Sequence, residues 1–104
     1  MEKIEISKTK PRFSKKMAVV ATKDQIHRDV KGETVILNTV TGVYCGLNEV
    51  GSLVWESIKK PRSVNSIVDI ILNEYDVEPK QCENDLFIVL QDLFDNGLIE
   101  VTHA

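Results

Sequence analysis

The hydrophobic period of the sequence changes within one stretch, Thr41-Gly42-Val43-Tyr44-Cys45-Gly46-Leu47-Asn48-Glu49-Val50-Gly51. Upstream of it, Glu33–Asn38 is short, β-branched and bounded by turn residues, which predicts a strand. Val43–Leu47 then predicts the return strand of a hairpin, with Gly42 able to take positive φ in the loop. Asn48 is a favourable N-cap, so a helix is expected to follow directly. The stretch therefore joins a sheet to a helical half.

Before this hairpin the chain predicts more strand. Met17–Ala21 is apolar and partly β-branched, and Gln25–Val30 continues it after a short break. Lys31-Gly32 is typical of a turn. We expect the first half of the chain to form a small antiparallel sheet.

After Asn48 the apolar residues recur at helical spacing. The first helix ends before Pro61, and Ser63 caps the second. The third begins at Pro79, where a missing N–H is harmless, and runs to about Asn96, before a short extended tail. Strands followed by helices predict an α+β fold, with a three-stranded antiparallel sheet followed by three helices.

Length and composition indicate one domain. The chain has 104 residues, of which 42% are hydrophobic and 28% charged. We divide it into a basic extended lead-in, residues 1–16, and a domain, residues 17–104. Its net charge of −3 argues against a general nucleic-acid partner. The sequence has no apolar run long enough to span a membrane and no secretory signal at its N-terminus. Its two cysteines do not have the spacing of a disulfide pair. A cytoplasmic protein is therefore expected.

The lead-in is the one basic segment. It is either a solvated tail or an arm that docks on an acidic partner. Its basic residues are Lys3, Lys8, Lys10, Arg12, Lys15 and Lys16.

Residues able to carry chemistry do not form a recognisable constellation. His27 and His103 have no metal-ligand spacing, and neither has a nucleophile motif nearby. Gly46 and Gly51 lack the lysine that a phosphate loop needs, and Cys45 has no evident activating cation. We therefore predict no catalytic residue, no metal, no cofactor and no enzymatic activity.

The third helix is apolar over an unusually wide arc. One stripe contains Cys82, Leu86, Val89 and Leu93, and a second, rotated by about one position, contains Phe87, Leu90 and Phe94. Either the helix is sandwiched in its own core, or one stripe lines a groove that a partner covers. The acidic residues of the helix, Glu83, Asp85, Asp92 and Asp95, would repel DNA phosphates.

These residues resemble the PqqD family, proteins related to pyrroloquinoline quinone biosynthesis protein D. The resemblance lies in Val35–Asn38, in Thr41–Gly51 and in Val54-Trp55, and it continues at lower density to about Val101. Further matching residues are Ile67, Val68, Glu74, Tyr75, Asp76, Val77, Asp85, Leu93, Asn96, Gly97, Leu98 and Ile99.

The resemblance implies a winged-helix-like fold that recognises leader peptides, the N-terminal parts of ribosomally made precursors. The leader would add as a strand beside Val43–Leu47, against the third helix, and the module would present it to a modifying enzyme such as a radical S-adenosylmethionine enzyme or a lasso-peptide protease or cyclase. The alternative is a winged-helix transcription regulator. The peptide-binding residues expected on this basis are Val43, Tyr44, Cys45, Gly46, Leu47, Asp85, Phe87, Leu90, Gln91 and Phe94.

Overall fold

The structure, a computed structural model, describes residues 13–102. The basic residues Lys3, Lys8, Lys10 and Arg12, and also His103, lie outside the described residues. The strands are β1 (Ala18–Ala21), β2 (Gln25–Val30), β3 (Glu33–Asn38), β4 (Tyr44–Leu47), β5 (Arg62–Ser63) and β6 (Ile99–Thr102). The helices are α1 (Glu49–Ser57), α2 (Val64–Glu74) and α3 (Pro79–Asp95).

The predicted three-stranded antiparallel sheet is confirmed, and its order is β2-β3-β4. Lys31 and Gly32 connect β2 to β3 and have φ values of 54° and 84°. Two successive positive φ angles give a tight turn whose twist suits a hairpin. Gly42, at φ 77°, closes the next connection, so both turns use the residues that the sequence assigned to them.

A second three-stranded sheet, of order β5-β1-β6, was not predicted. The sequence placed Met17–Ala21 in the same sheet as the hairpin, and this was wrong. Instead β1 pairs along its length with β6, from Ala18 opposite Thr102 to Ala21 opposite Ile99. The extended C-terminal tail supplies the partner strand from far along the chain, and pairings of that kind leave no local signal in a sequence.

The helix boundaries follow their local signals. The Asn48 side chain accepts a hydrogen bond from the Gly51 N–H at 2.9 Å, and the Ser63 side chain accepts one from Ser66 at 3.1 Å. Pro79 occupies the first turn of α3. Gly97, at φ 70°, follows the helix, and a Cβ there would lie 2.9 Å from the Asn38 amide nitrogen.

One hydrophobic core lies between the helices and the inner faces of both sheets. Its fully buried members include Trp55 of α1, Ile67 of α2, Leu90 of α3 and Ile36 of β3. Since α3 contributes to this core from the middle of its length, one side of the helix is fixed against the domain. Its two flanks then face different neighbours, and that difference defines the candidate site. No helix within residues 13–102 is long and apolar enough to cross a membrane.

Candidate functional site

Strand β4 lies at the edge of its sheet, where no other described strand pairs with it. The N–H of Asn38 donates to the carbonyl of Val43 at 2.9 Å. In an antiparallel ladder, hydrogen-bonded and non-hydrogen-bonded pairs alternate, so Ile36 and Cys45 form the next hydrogen-bonded pair. The N–H and C=O groups of Tyr44 and Gly46 therefore point away from β3, toward the open edge. An unpaired edge of this kind is able to accept another strand.

The other side of β3 supports this assignment. The N–H of Thr39 donates to the carbonyl of Asp24 at 3.0 Å. By the same alternation, Leu37 and Val35 then direct their main-chain groups to β2, leaving Ile36 and Thr34 for β4. The two ladders are thus consistent with each other.

The buried Asn38 side chain fixes this hairpin to the end of α3. Its amide nitrogen donates to the carbonyl of Asn96 at 2.9 Å. Its oxygen accepts hydrogen bonds from Val40 N–H at 2.8 Å and Thr41 N–H at 3.1 Å. One amide therefore holds the loop before β4 and the C-terminus of α3 together. This sets the spacing between the strand edge and the helix.

One flank of α3 lies on the side of β4. Asp92 is close enough to Cys45 of β4 to influence the ionisation of its thiol. Helical residues advance by about 100°, so Asp85 and Val89 lie on the same side of α3 as Asp92. We call Asp85, Val89 and Asp92 the β4 flank. Asp85 and Asp92 are exposed, and Val89 is half-buried.

An apolar cavity of about 280 Å³ is open on this same flank. It lies between the start of α1, the end of α2 and the N-terminal half of α3. Its lining is mainly aliphatic, with two carboxylates, and consists of Val50, Val54, Ile71, Tyr75, Asp76, Val77, Cys82, Asp85, Leu86 and Val89. We treat the strand edge and the cavity together as the candidate groove, because Asp85 and Val89 line the cavity and Asp92, on the same side of α3, acts on Cys45 of β4.

Burial and nearby carboxylates act on the two thiols of this region. Burial raises the pKa of the Cys45 thiol, and the Asp92 carboxylate raises that pKa further. Burial also raises the pKa of the Cys82 thiol, with added contributions from Asp85 and Glu83. Both thiols are therefore held in their neutral form, and neither has the character of a nucleophile.

The opposite flank of α3 is covered by the start of the described chain. We call Glu83, Phe87 and Phe94 the lead-in flank. The ring of Phe13 meets Phe94 edge-on at a centroid distance of 6.4 Å, and the Lys15 ammonium lies 3.4 Å from Glu83. The Asn65 N–H donates to the carbonyl of Lys15 at 3.1 Å, which attaches this segment to α2 as well. The last residues of the predicted lead-in thus pack on the domain.

The structure brings only part of the predicted site together. Among the residues expected on the strand, Val43, Tyr44 and Gly46 are exposed, Cys45 is half-buried and Leu47 is buried. Asp85 lines the cavity.

The remaining predicted residues lie elsewhere. The sequence set Phe87, Leu90 and Phe94 facing β4, but Phe87 and Phe94 lie on the lead-in flank and Leu90 is fully buried. The Gln91 amide bonds to Asp95 at 2.9 Å on the outer side of the helix. The reason is the rotation of α3 about its own axis. The apolar arc of this helix is so wide that the sequence does not show which edge of the arc faces which neighbouring element. Peptide binding by these residues stays a prediction.

The predicted peptide-binding residues do not include Val89 or the other cavity-lining residues apart from Asp85, nor do they include Asp92 or Asn38. Val89 belonged to the apolar stripe that the sequence assigned to the core, and only its half-burial separates it from Leu86 and Leu93. Asn38 had a usable signal, because a polar residue that ends a β-branched strand before a Thr-Val-Thr-Gly loop is typical of a side chain that caps the turn.

The fold and site define a class: a small α+β domain with an open strand edge beside an apolar, acidic groove. A model of the PqqD family, described as coenzyme PQQ synthesis protein D, matches residues 33–99. The chain belongs to the PqqD family. The matched segment begins with β3 and ends in β6, so it contains the whole groove. No curated protein sequence matches the chain.

Two solved structures share the fold. One, TbiB1 in complex with the TbiA(beta) leader peptide, has 32% sequence identity and a TM-score of 0.73, and the alignment covers 78% of this chain and 94% of that one. The other, lasso peptide synthetase B1 complexed with the leader peptide, has 21% identity and a TM-score of 0.69, with 79% of this chain and 96% of that chain covered. The second shows likeness of fold alone.

Proposed function

We propose that this protein binds the leader region of a precursor peptide by strand addition to β4. The observation that carries the proposal is the outward direction of the Tyr44 and Gly46 main-chain groups, beside an apolar groove on α3. An added strand gains affinity from main-chain hydrogen bonds and specificity from pockets that take alternate side chains. The 32%-identical TbiB1, which was solved with a leader peptide, supports the proposal.

The second part of the proposal is that the module acts for an enzyme and is not itself a catalyst. A bound leader would hold its precursor at high effective concentration beside a modifying enzyme. The neutral thiols of Cys45 and Cys82 are consistent with a binding role. A cytoplasmic location and a separate enzyme-binding surface belong to the same proposal.

The proposal is tested with a matched pair of proline substitutions in β4. Gly46→Pro removes an N–H that points to the open edge and places a ring where the peptide strand would lie, while the ladder to β3 stays intact. Cys45→Pro instead removes the N–H that bonds to β3, so it should lower the unfolding temperature. Proline at a strand edge is tolerated, whereas proline in a ladder is not.

The probe is a peptide selected from a random display library on the immobilised full chain, with affinity measured by calorimetric titration. We expect Gly46→Pro to retain a near-normal thermal melt and to lose affinity by about tenfold or more, since it loses a hydrogen bond and gains a clash. Selection of no peptide, or unchanged affinity in folded Gly46→Pro, would overturn strand addition at β4.

A further inference from the structure

The β4 flank and the lead-in flank of α3 differ in how their carboxylates are neutralised. On the lead-in flank, Glu83 has two cationic neighbours, Lys15 at 3.4 Å and Lys80 at 3.7 Å. Lys80 is the only basic residue of α3. Because it pairs with Glu83, its charge lies on the flank that faces away from the groove.

On the β4 flank the carboxylates meet no cation among residues 13–102. Asp85 accepts a long hydrogen bond of 3.4 Å from the Gln81 amide. Asp76 adds a third carboxylate at the rim of the same cavity. Burial is the main cause of the raised pKa of the Cys45 and Cys82 thiols, and the carboxylates of Asp92 and Asp85 respectively add to it.

The spacing along α3 places the apolar contact between two carboxylates. Asp85 and Val89 are four residues apart, about 6 Å along the helix axis, and Asp92 lies about 4.5 Å beyond Val89. Two residues of an extended strand span about 6.6 Å and direct their side chains to the same face. If a peptide strand lay along this flank, one of its side chains would reach Val89. The side chain two positions away in the peptide would then reach Asp85 or Asp92.

We propose that the groove selects a cationic peptide strand, one that carries a Lys or Arg two positions from a bulky apolar side chain. The apolar side chain enters the cavity beside Val89, and the cation pairs with Asp85 or Asp92. These two aspartates are then the specificity-determining residues of the site. The inference rests on the proposed function, since it describes the peptide that β4 would bind.

The experiment is a display selection of random peptides on the full chain, sequenced in parallel for wild type, Asp85→Lys, Asp92→Lys and Asp69→Lys. Asp69 is exposed on α2 beside Lys15 and Lys80, so Asp69→Lys makes the same charge change away from the groove. We expect wild type and Asp69→Lys to enrich Lys or Arg two positions from a bulky apolar residue, and the two groove variants to lose that enrichment or to prefer acidic residues.

Affinity gives a second readout. For the best wild-type peptide, Asp85→Lys and Asp92→Lys should each weaken binding roughly fivefold, and raised salt should narrow the difference from wild type. Thermal melts establish that each variant is folded. Gly46→Pro, included in the same titrations, reports separately on strand addition.

The outcomes separate the two proposals. If peptides that depend on Gly46 are enriched without any basic preference, or if Asp69→Lys changes the preference as much as Asp85→Lys does, the cation selectivity is wrong and strand addition stands. If no peptide is enriched, the proposed function is wrong and the cation selectivity falls with it.

Discussion

The lead-in flank of α3 is covered by the protein's own chain, whereas the β4 flank borders an open strand edge and a cavity. Both flanks combine apolar and acidic side chains, although only the lead-in flank has aromatic ones. On one, Phe94 meets Phe13 and Glu83 meets Lys15. On the other, Val89 is half-buried beside the cavity and Asp92 is exposed.

The two edges of the apolar arc of α3 have different surroundings, so each edge needs its own explanation. From the sequence, the second stripe of α3, with Phe87 and Phe94, is predicted to be an apolar surface that binds a partner. The structure sets Phe13 against Phe94 of this stripe and Lys15 against Glu83, and the less aromatic flank lies on the side of the open edge. Paired carboxylates and covered rings thus mark an internal contact, while carboxylates that meet no cation among residues 13–102 border the flank where we propose that a peptide binds.

The largest expected effect is on stability, from the core and the lead-in flank. Leu90→Ala should lower the free energy of unfolding by about 2–5 kcal/mol, because the side chain is fully buried. Phe94→Ala should cost less, about 1–3 kcal/mol, since Phe94 is only partly buried. Denaturant unfolding measures both. A folded Phe94→Ala variant of normal stability and much reduced peptide affinity would reverse the roles of the two flanks.

A matched pair of truncations compares the flanks directly. Val89→Ala removes apolar surface beside the cavity and should weaken peptide binding about fivefold with little change in the melting temperature. Phe87→Ala should lower the melting temperature and leave the affinity of the folded variant unchanged. Calorimetric titration and thermal melts of both variants decide the point. Equal affinity losses in the two would mean that the groove extends around α3.

A smaller effect concerns the Cys45 thiol. Because burial and Asp92 raise its pKa, the thiol keeps its proton to higher pH, and its alkylation at neutral pH should be slow. Asp92→Asn should lower the pKa and speed alkylation several-fold, with Asp69→Asn as the unchanged control. Mass mapping after timed alkylation separates Cys45 from Cys82. Identical rates in wild type and Asp92→Asn would contradict the proximity of Asp92.

The same shift sets the sign of a pH effect on stability. The folded state holds the Cys45 proton more tightly than the unfolded chain does. The protonated thiol therefore contributes to the free energy of unfolding at pH values below the ordinary thiol pKa. This contribution is lost as the pH rises through the raised value. Melts at increasing alkaline pH should therefore show a steeper loss of stability for wild type than for Cys45→Ala.

The smallest expected effect is that of the ion pair on the lead-in flank. Lys15 is more than half exposed, so Lys15→Ala should change the free energy of unfolding by less than about 1 kcal/mol and leave peptide affinity unaltered. Denaturant unfolding in low and high salt measures it. A loss of affinity in this variant would indicate that the charge of Glu83 influences the groove.

The sequence alone determined the local elements of this fold. Asn48 and Ser63 cap their helices, Pro79 opens α3, and Gly42 takes positive φ, all as predicted. Each of these depends on a residue and its immediate neighbours along the chain, so the signal is complete within a few positions. The edge position of β4 agrees with the expectation, drawn from the family resemblance, that a strand adds beside Val43–Leu47.

Only the tertiary structure decided which surfaces meet. The pairing of β1 with β6 joins the two ends of the domain, and the rotation of α3 sets Phe94 against Phe13 and brings Asp92 within electrostatic range of Cys45. A hydrophobic period states that one side of a helix is buried, but the arc of α3 is wide enough to satisfy several rotations. The choice among them depends on contacts between residues far apart in the chain, made together when the core packs.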